Sequence, residues 1–162
     1  MKRIAILATM TALLVLALCG CKETGDRAPG LLQLRLASDD PRPNWAEVKV
    51  QDITRPVYVS PEIVATAADI EKAYVAKIGT HTDKPITYRG KEVKKGVAIE
   101  FTDAAAKRIE ALTTDHVDER LAILVGNRVI SAPRITGPIK ERMLFFGSLS
   151  DEDCEALVGL LN

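Results

Sequence analysis

The sequence predicts an α+β fold, a small mostly antiparallel sheet with two main helices packed on one face, forming a single domain over residues 31–162. Hydrophobic periodicity switches sharply between two and about 3.6 residues along the chain, which separates strands from helices. Two amphipathic segments each begin at a hydroxyl residue suited to cap a helix. Gly126-Asn127 joins two apolar runs as a two-residue hairpin, the connection that antiparallel neighbours use.

The first element is an address. Lys2 and Arg3 precede an apolar run over residues 4–18 with no acid, the pattern of an export signal covering residues 1–20. As a helix this run reaches roughly 22 Å at about 1.5 Å per residue, short of a hydrocarbon core of about 30 Å. Leu18-Cys19-Gly20-Cys21 resembles the lipobox of bacterial lipoproteins, although Cys19 departs from the usual small residue. The resemblance implies cleavage after Gly20 and acylation of Cys21, with the lipid bilayer as a partner. Several acyl chains together anchor a domain stably, each buried methylene adding about 0.8 kcal/mol. With Cys19 removed and Cys21 acylated, only Cys154 remains, so no disulfide within the chain is expected. Residues 21–30, polar and rich in Gly and Pro, read as the tether.

The domain begins with Leu32, Leu34 and Leu36 alternating with Gln33 and Arg35, a half-buried strand that Asp39, Asp40, Pro41 and Pro43 end. Val48 with Val50, and then Val57-Tyr58-Val59, mark two short strands. Residues 66–69 form a short helical turn and residues 73–78 a strand. Val97-Ala98-Ile99-Glu100-Phe101 is a buried strand running into a helix capped by Thr102 or Asp103, with Ala105, Ile109 and Leu112 inward. Leu121 to Val125 is a second buried strand, followed by the hairpin and Arg128-Val129-Ile130. Met143-Leu144-Phe145-Phe146 is a further strand. Ser150 caps the last helix, Asp153 completes a short capping box, and Leu157, Leu160 and Leu161 take its buried face. No internal repeat is present.

The charge balance of 22 Lys and Arg against 22 Asp and Glu provides no general field for nucleic acid, which is not expected as a partner. No enzyme is expected either. His81 and His116 lie in no hydrolase, metalloprotease or redox motif. Asp115-His116-Val117-Asp118-Glu119 gathers potential metal ligands, but in a polar helix-to-strand connection it reads as a solvated turn rather than a converging site. Cys154, three residues before Leu157, reads as a buried structural thiol. The basic stretch from Arg89 to Lys95 reads as a solvated hairpin tip. No catalytic, cofactor or metal site is assigned.

Three stretches together, VAIEFTDAAAKRIEALT, RLAILVGNRVISAPRI and the run from Gly147 to Glu152 into a helix, resemble the head subdomain of the first periplasmic domain of SecD. The likeness spans residues 57–161. Its most specific part is strand, glycine turn, strand and a Ser131-Ala132-Pro133 corner. Ala67, Ala105, His116 and Lys140-Glu141 depart from the usual residues at their positions. The resemblance implies a SecD-head-like fold on the extracytoplasmic side, with unfolded polypeptide or the export machinery as partner. It covers the head alone, so the proton-driven motor of SecD is not implied.

A physical basis for such binding is an open sheet edge beside an apolar groove. Met143, Leu144, Phe145 and Phe146 are the candidate lining, since they carry a flexible thioether and two of the three Phe residues. The same four residues also suit a core strand. The alternative function is a non-catalytic envelope lipoprotein that docks a folded partner.

Overall fold

The computed structural model describes residues 31–50, 53–78, 87–88, 90–146 and 149–162. The export signal, Cys21, the tether, His81 and Arg89 lie outside the described residues. Every strand pair among the described residues is antiparallel. The strands divide between two sheets and a small ribbon rather than forming one sheet.

The larger sheet contains β1 (Leu32–Ser38), β2 (Ala46–Val48), β3 (Val57–Val59), β4 (Ala65–Thr66), β9 (Arg120–Val125) and β10 (Arg128–Ser131). Its order is β10-β9-β1-β3-β2, with β4 beside the first half of β1. The smaller sheet is β11-β8-β5, formed by β5 (Ile70–Lys77), β8 (Lys95–Phe101) and β11 (Arg142–Phe145). A ribbon of β6 (Thr87–Tyr88) and β7 (Lys91–Glu92) turns at Gly90, whose φ is 73°. The helices are α1 (Asp103–Asp115) and α2 (Asp151–Leu161), and both pack on the three-stranded sheet.

Side-chain alternation explains where the two cores lie. Leu121 and Ile123 of β9 join Leu32 and Leu34 of β1, Ile99, both helices, Met143 and Phe145 in the main core. Ala122 and Leu124 point the other way, into a second cluster with Ala37, Val57, Val59 and Val50. A strand covered on both faces needs an unbroken apolar run, which Leu121-Ala122-Ile123-Leu124 provides.

The caps fall where hydroxyl residues stand. Thr102 caps α1, while Ser150 and Asp153 form a reciprocal box on α2. Thr66 and Asp69 form a second such box on the 3-10 turn Ala67–Asp69. Gly126 takes φ 59° in the turn between β9 and β10, the positive value that a type II′ turn needs at its first central residue. Two helix positions differ from expectation. The inward stripe of α1 continues through Thr113 rather than Leu112, because Thr113 satisfies its hydroxyl by donating to the Ile109 carbonyl at 2.7 Å. Leu160 is 59% exposed, because α2 directs only Cys154, Leu157 and Leu161 inward.

Candidate functional site

Strand β11 is one edge of the three-stranded sheet. The Phe101 N–H donates to the Glu141 carbonyl directly opposite it at 2.9 Å, in register with Arg142 opposite Glu100. Antiparallel pairing alternates, so Met143 and Phe145 direct their main-chain groups at β8, whereas those of Arg142 and Leu144 face outward. Among the described residues nothing pairs with these outward groups.

The other edge, β5, is capped at one residue. Ala73 of β5 donates its N–H to Asn162 Oδ1 at 3.1 Å and accepts at its carbonyl from Asn162 Nδ2 at 2.9 Å. This pair also shows that Ile99, opposite Ala73, turns its main chain toward β11.

Beside the open edge runs the segment that follows β10. A bulge at Ile130 shifts the register between Val129 and Ser131 and redirects the Ser131-Ala132-Pro133 corner. The segment is then fixed by hydrogen bonds from the Leu121 N–H to the Pro133 carbonyl at 2.9 Å and from the Ile135 N–H to the Glu119 carbonyl at 2.7 Å. Further along, the Ile139 N–H donates to Thr113 Oγ1 at 2.8 Å, tying it to α1.

Between this wall and β11 lie two shallow depressions of about 240 and 280 Å³ that share Pro133 and Leu144. The first is mainly apolar and is completed by Ile53, Ala132 and Phe146. Both fall below the roughly 300–1,000 Å³ typical of small-molecule sites. They suit side chains of an extended segment better than a cofactor.

An ion cluster stiffens the wall. Asp39 accepts from Arg120 Nε at 2.6 Å and pairs with Arg134, while Arg120 also donates to the Ala132 carbonyl at 2.9 Å. The hydrogen bond from Arg120 holds the Asp39 carboxyl below its usual range against the opposing effect of burial.

The four expected lining residues divide by alternation. Met143 and Phe145 are 8% and 3% exposed and belong to the main core, although each also contributes to the lining of one depression. Leu144 is 47% exposed and Phe146 is half-buried, and these two reach the groove. The signal was present in the period of two: if Phe145 is core, Leu144 must face out.

The remaining singled-out residues have structural partners. Glu119 is pushed up by burial, but hydrogen bonds from His116 and Arg42 outweigh this and hold its carboxyl low. Among the described residues no three His, Cys, Asp or Glu converge as metal ligands. Lys95 pairs with Glu155 of α2 at 2.8 Å, so it is committed to the fold rather than free for a partner. Cys154 is buried, and burial pushes its thiol up.

A family model for the SecDF P1 head subdomain matches residues 45–162. The chain belongs to the SecDF P1 head family. Two solved structures share the fold of this SecDF head. One is described as the membrane component SecDF that enhances protein export, with a TM-score of 0.57 and 18% identity over 80% of this chain. The other is SecDF in a super-membrane-facing form, with a TM-score of 0.55 and 21% identity over 80% of this chain. The match spans 60% of the first protein's chain and 18% of the second's. A search of curated proteins gives no match. Among the described residues no helix is long and apolar enough to cross a membrane.

Proposed function

We propose that this chain is a non-catalytic polypeptide-binding module on the extracytoplasmic side of a membrane, held there by acyl chains on Cys21 and acting in protein export. The observation that carries the binding reading is the outward main chain of Arg142 and Leu144 beside an apolar groove. An extended segment added at such an edge gains main-chain hydrogen bonds whatever its sequence, and the groove accepts alternate side chains. Membership in the SecDF head family supports the link to export and the extracytoplasmic side. The lipobox-like Leu18-Cys19-Gly20-Cys21 supports the anchor.

The test of binding is fluorescence polarisation of the full chain in detergent micelles against labelled unfolded peptides, with a folded protein as control. Micromolar binding of extended peptides, weakened by Leu144→Ser, supports the reading. No binding at high micromolar concentration sinks it and leaves a lipoprotein that docks a folded partner. The anchor is tested by metabolic labelling with a fatty acid, which Cys21→Ala should abolish.

A further inference from the structure

Arg142 and Leu144 stand two residues apart on β11, so their side chains share the sheet face turned away from the helices. On that face the cross-strand rows read Arg142, Glu100, Lys72 and then Leu144, Ala98, Tyr74. Arg142 is exposed and has no hydrogen bond or ion pair among the described residues. Glu100 lies opposite it in register without closing to an ion pair, and it stands between two cations, Arg142 and Lys72. The other arginines of the groove are committed. Arg120 serves Asp39 and the Ala132 carbonyl, and Arg134 serves Asp39 and the Asp118 carbonyl. Arg142 is therefore the cation the groove offers to a ligand, and its free side is the one an added strand would take.

We propose that this edge selects extended segments carrying an apolar residue and, two positions later, an acidic one, which rests on the polypeptide-binding reading above and supplies its substrate class. Every strand pair described in the molecule is antiparallel, and antiparallel pairing is slightly more stable per residue. An antiparallel partner of β11 meets Leu144 first and Arg142 two residues later. The apolar side chain then lies beside Leu144 and the carboxylate accepts from the Arg142 guanidinium, a charge-assisted contact. The residue between them points to the opposite face.

Equal-length labelled peptides with the order apolar-any-Glu, Glu-any-apolar, apolar-any-Gln and apolar-any-Lys decide this, titrated against the full chain in detergent micelles at low salt. Apolar-any-Glu should bind best, about threefold to tenfold tighter than apolar-any-Lys, the range that cross-strand charge pairs support. The preference should shrink in high salt. Arg142→Glu should invert it and Arg142→Lys should retain most of it. Methylation of the peptide main chain opposite Leu144 should abolish binding.

Equal affinity for all four peptides overturns the selectivity while leaving polypeptide binding intact. Absence of binding by every peptide removes both readings. Tighter binding of Glu-any-apolar overturns the antiparallel register. A dimer in sedimentation velocity that Leu144→Lys disperses would assign the edge to a second copy of the chain and overturn the proposal.

Discussion

The side-chain amide of Asn162 makes to Ala73 both of the hydrogen bonds that a neighbouring strand would make, accepting from its N–H at 3.1 Å and donating to its carbonyl at 2.9 Å. One side chain thus imitates a strand at one position and caps that edge of the sheet at Ala73, while the edge at Leu144 has no such cap among the described residues. Edges left open recruit other chains. Asn162→Ala should lower stability by about 1–3 kcal/mol, two hydrogen bonds at roughly 0.5–1.5 each, and should increase self-association. Urea unfolding and sedimentation velocity check this. Unchanged values for both would show that the amide pair is dispensable.

Phe145 and Leu144 are neighbours with opposite expected phenotypes. Phe145→Ala removes a buried ring and should cost about 3–5 kcal/mol. Leu144→Ser, at a half-exposed position, should leave the unfolding midpoint nearly unchanged and weaken peptide binding. A Leu144→Ser protein that unfolds as readily as Phe145→Ala would place Leu144 in the core and remove the groove argument.

Gly96 lies beneath the groove strand. A Cβ built there stands 2.8 Å from the Phe145 carbonyl oxygen, 2.9 Å from Ile78 Cδ1 and 3.2 Å from Leu144 Cδ1. The first of these atoms is backbone, so Gly96→Ala must displace β11 rather than merely rotate a side chain. The expected cost is about 1–3 kcal/mol, with weakened peptide binding alongside it. Amide-exchange rates along Arg142–Phe145 should rise, and unaltered exchange would contradict the packing described.

Asp39 is held low by its hydrogen bond from Arg120, so its folded-state value lies below its unfolded one. Such a group stabilises the fold at pH above its unfolded value of about 3.9, and that contribution is lost as the pH falls through the lower folded value. The native chain should therefore lose more stability between pH 5 and pH 2.5, taken as ~pH bounds either side of that value, than Asp39→Asn does. Urea midpoints across this range provide the measurement, and parallel curves for the two proteins would exclude a contribution from Asp39.

Much of the fold is legible locally. The hydroxyl caps at Thr102 and Ser150, the turn at Gly126 and the apolar run of β9 each depend on neighbours within a few residues. The division into two sheets depends instead on which distant strands pair, and no local pattern encodes it. Two-residue strands such as β4 and β6 lack enough residues to show a period. Thr113 reads as polar until its hydroxyl is seen spent on Ile109 and Ile139. The candidate site was half legible. The apolar strand draws attention to Met143–Phe146 and its period of two separates Leu144 from Phe145, but only the pairing with β8 shows which pair faces out and that the edge is free. Nothing in the sequence marks Asn162 as the residue that caps Ala73 on the opposite edge.

The central ladder of the larger sheet joins β1 to β9, pairing Leu32 with Val125 and Ala37 with Arg120. β3 and β4 pair with one edge of the first strand, but its other edge must wait for a partner more than eighty residues away, and both cores share that partner. Contacts of such long sequence separation slow folding, because the loop must be closed before any of them contributes. A chain threaded outward from its N-terminus would hold that edge of β1 unpaired until nearly four-fifths of its 162 residues had crossed. In such a passage the module would itself be an unfolded client, in need of the same kind of contact its edge strand is proposed to give.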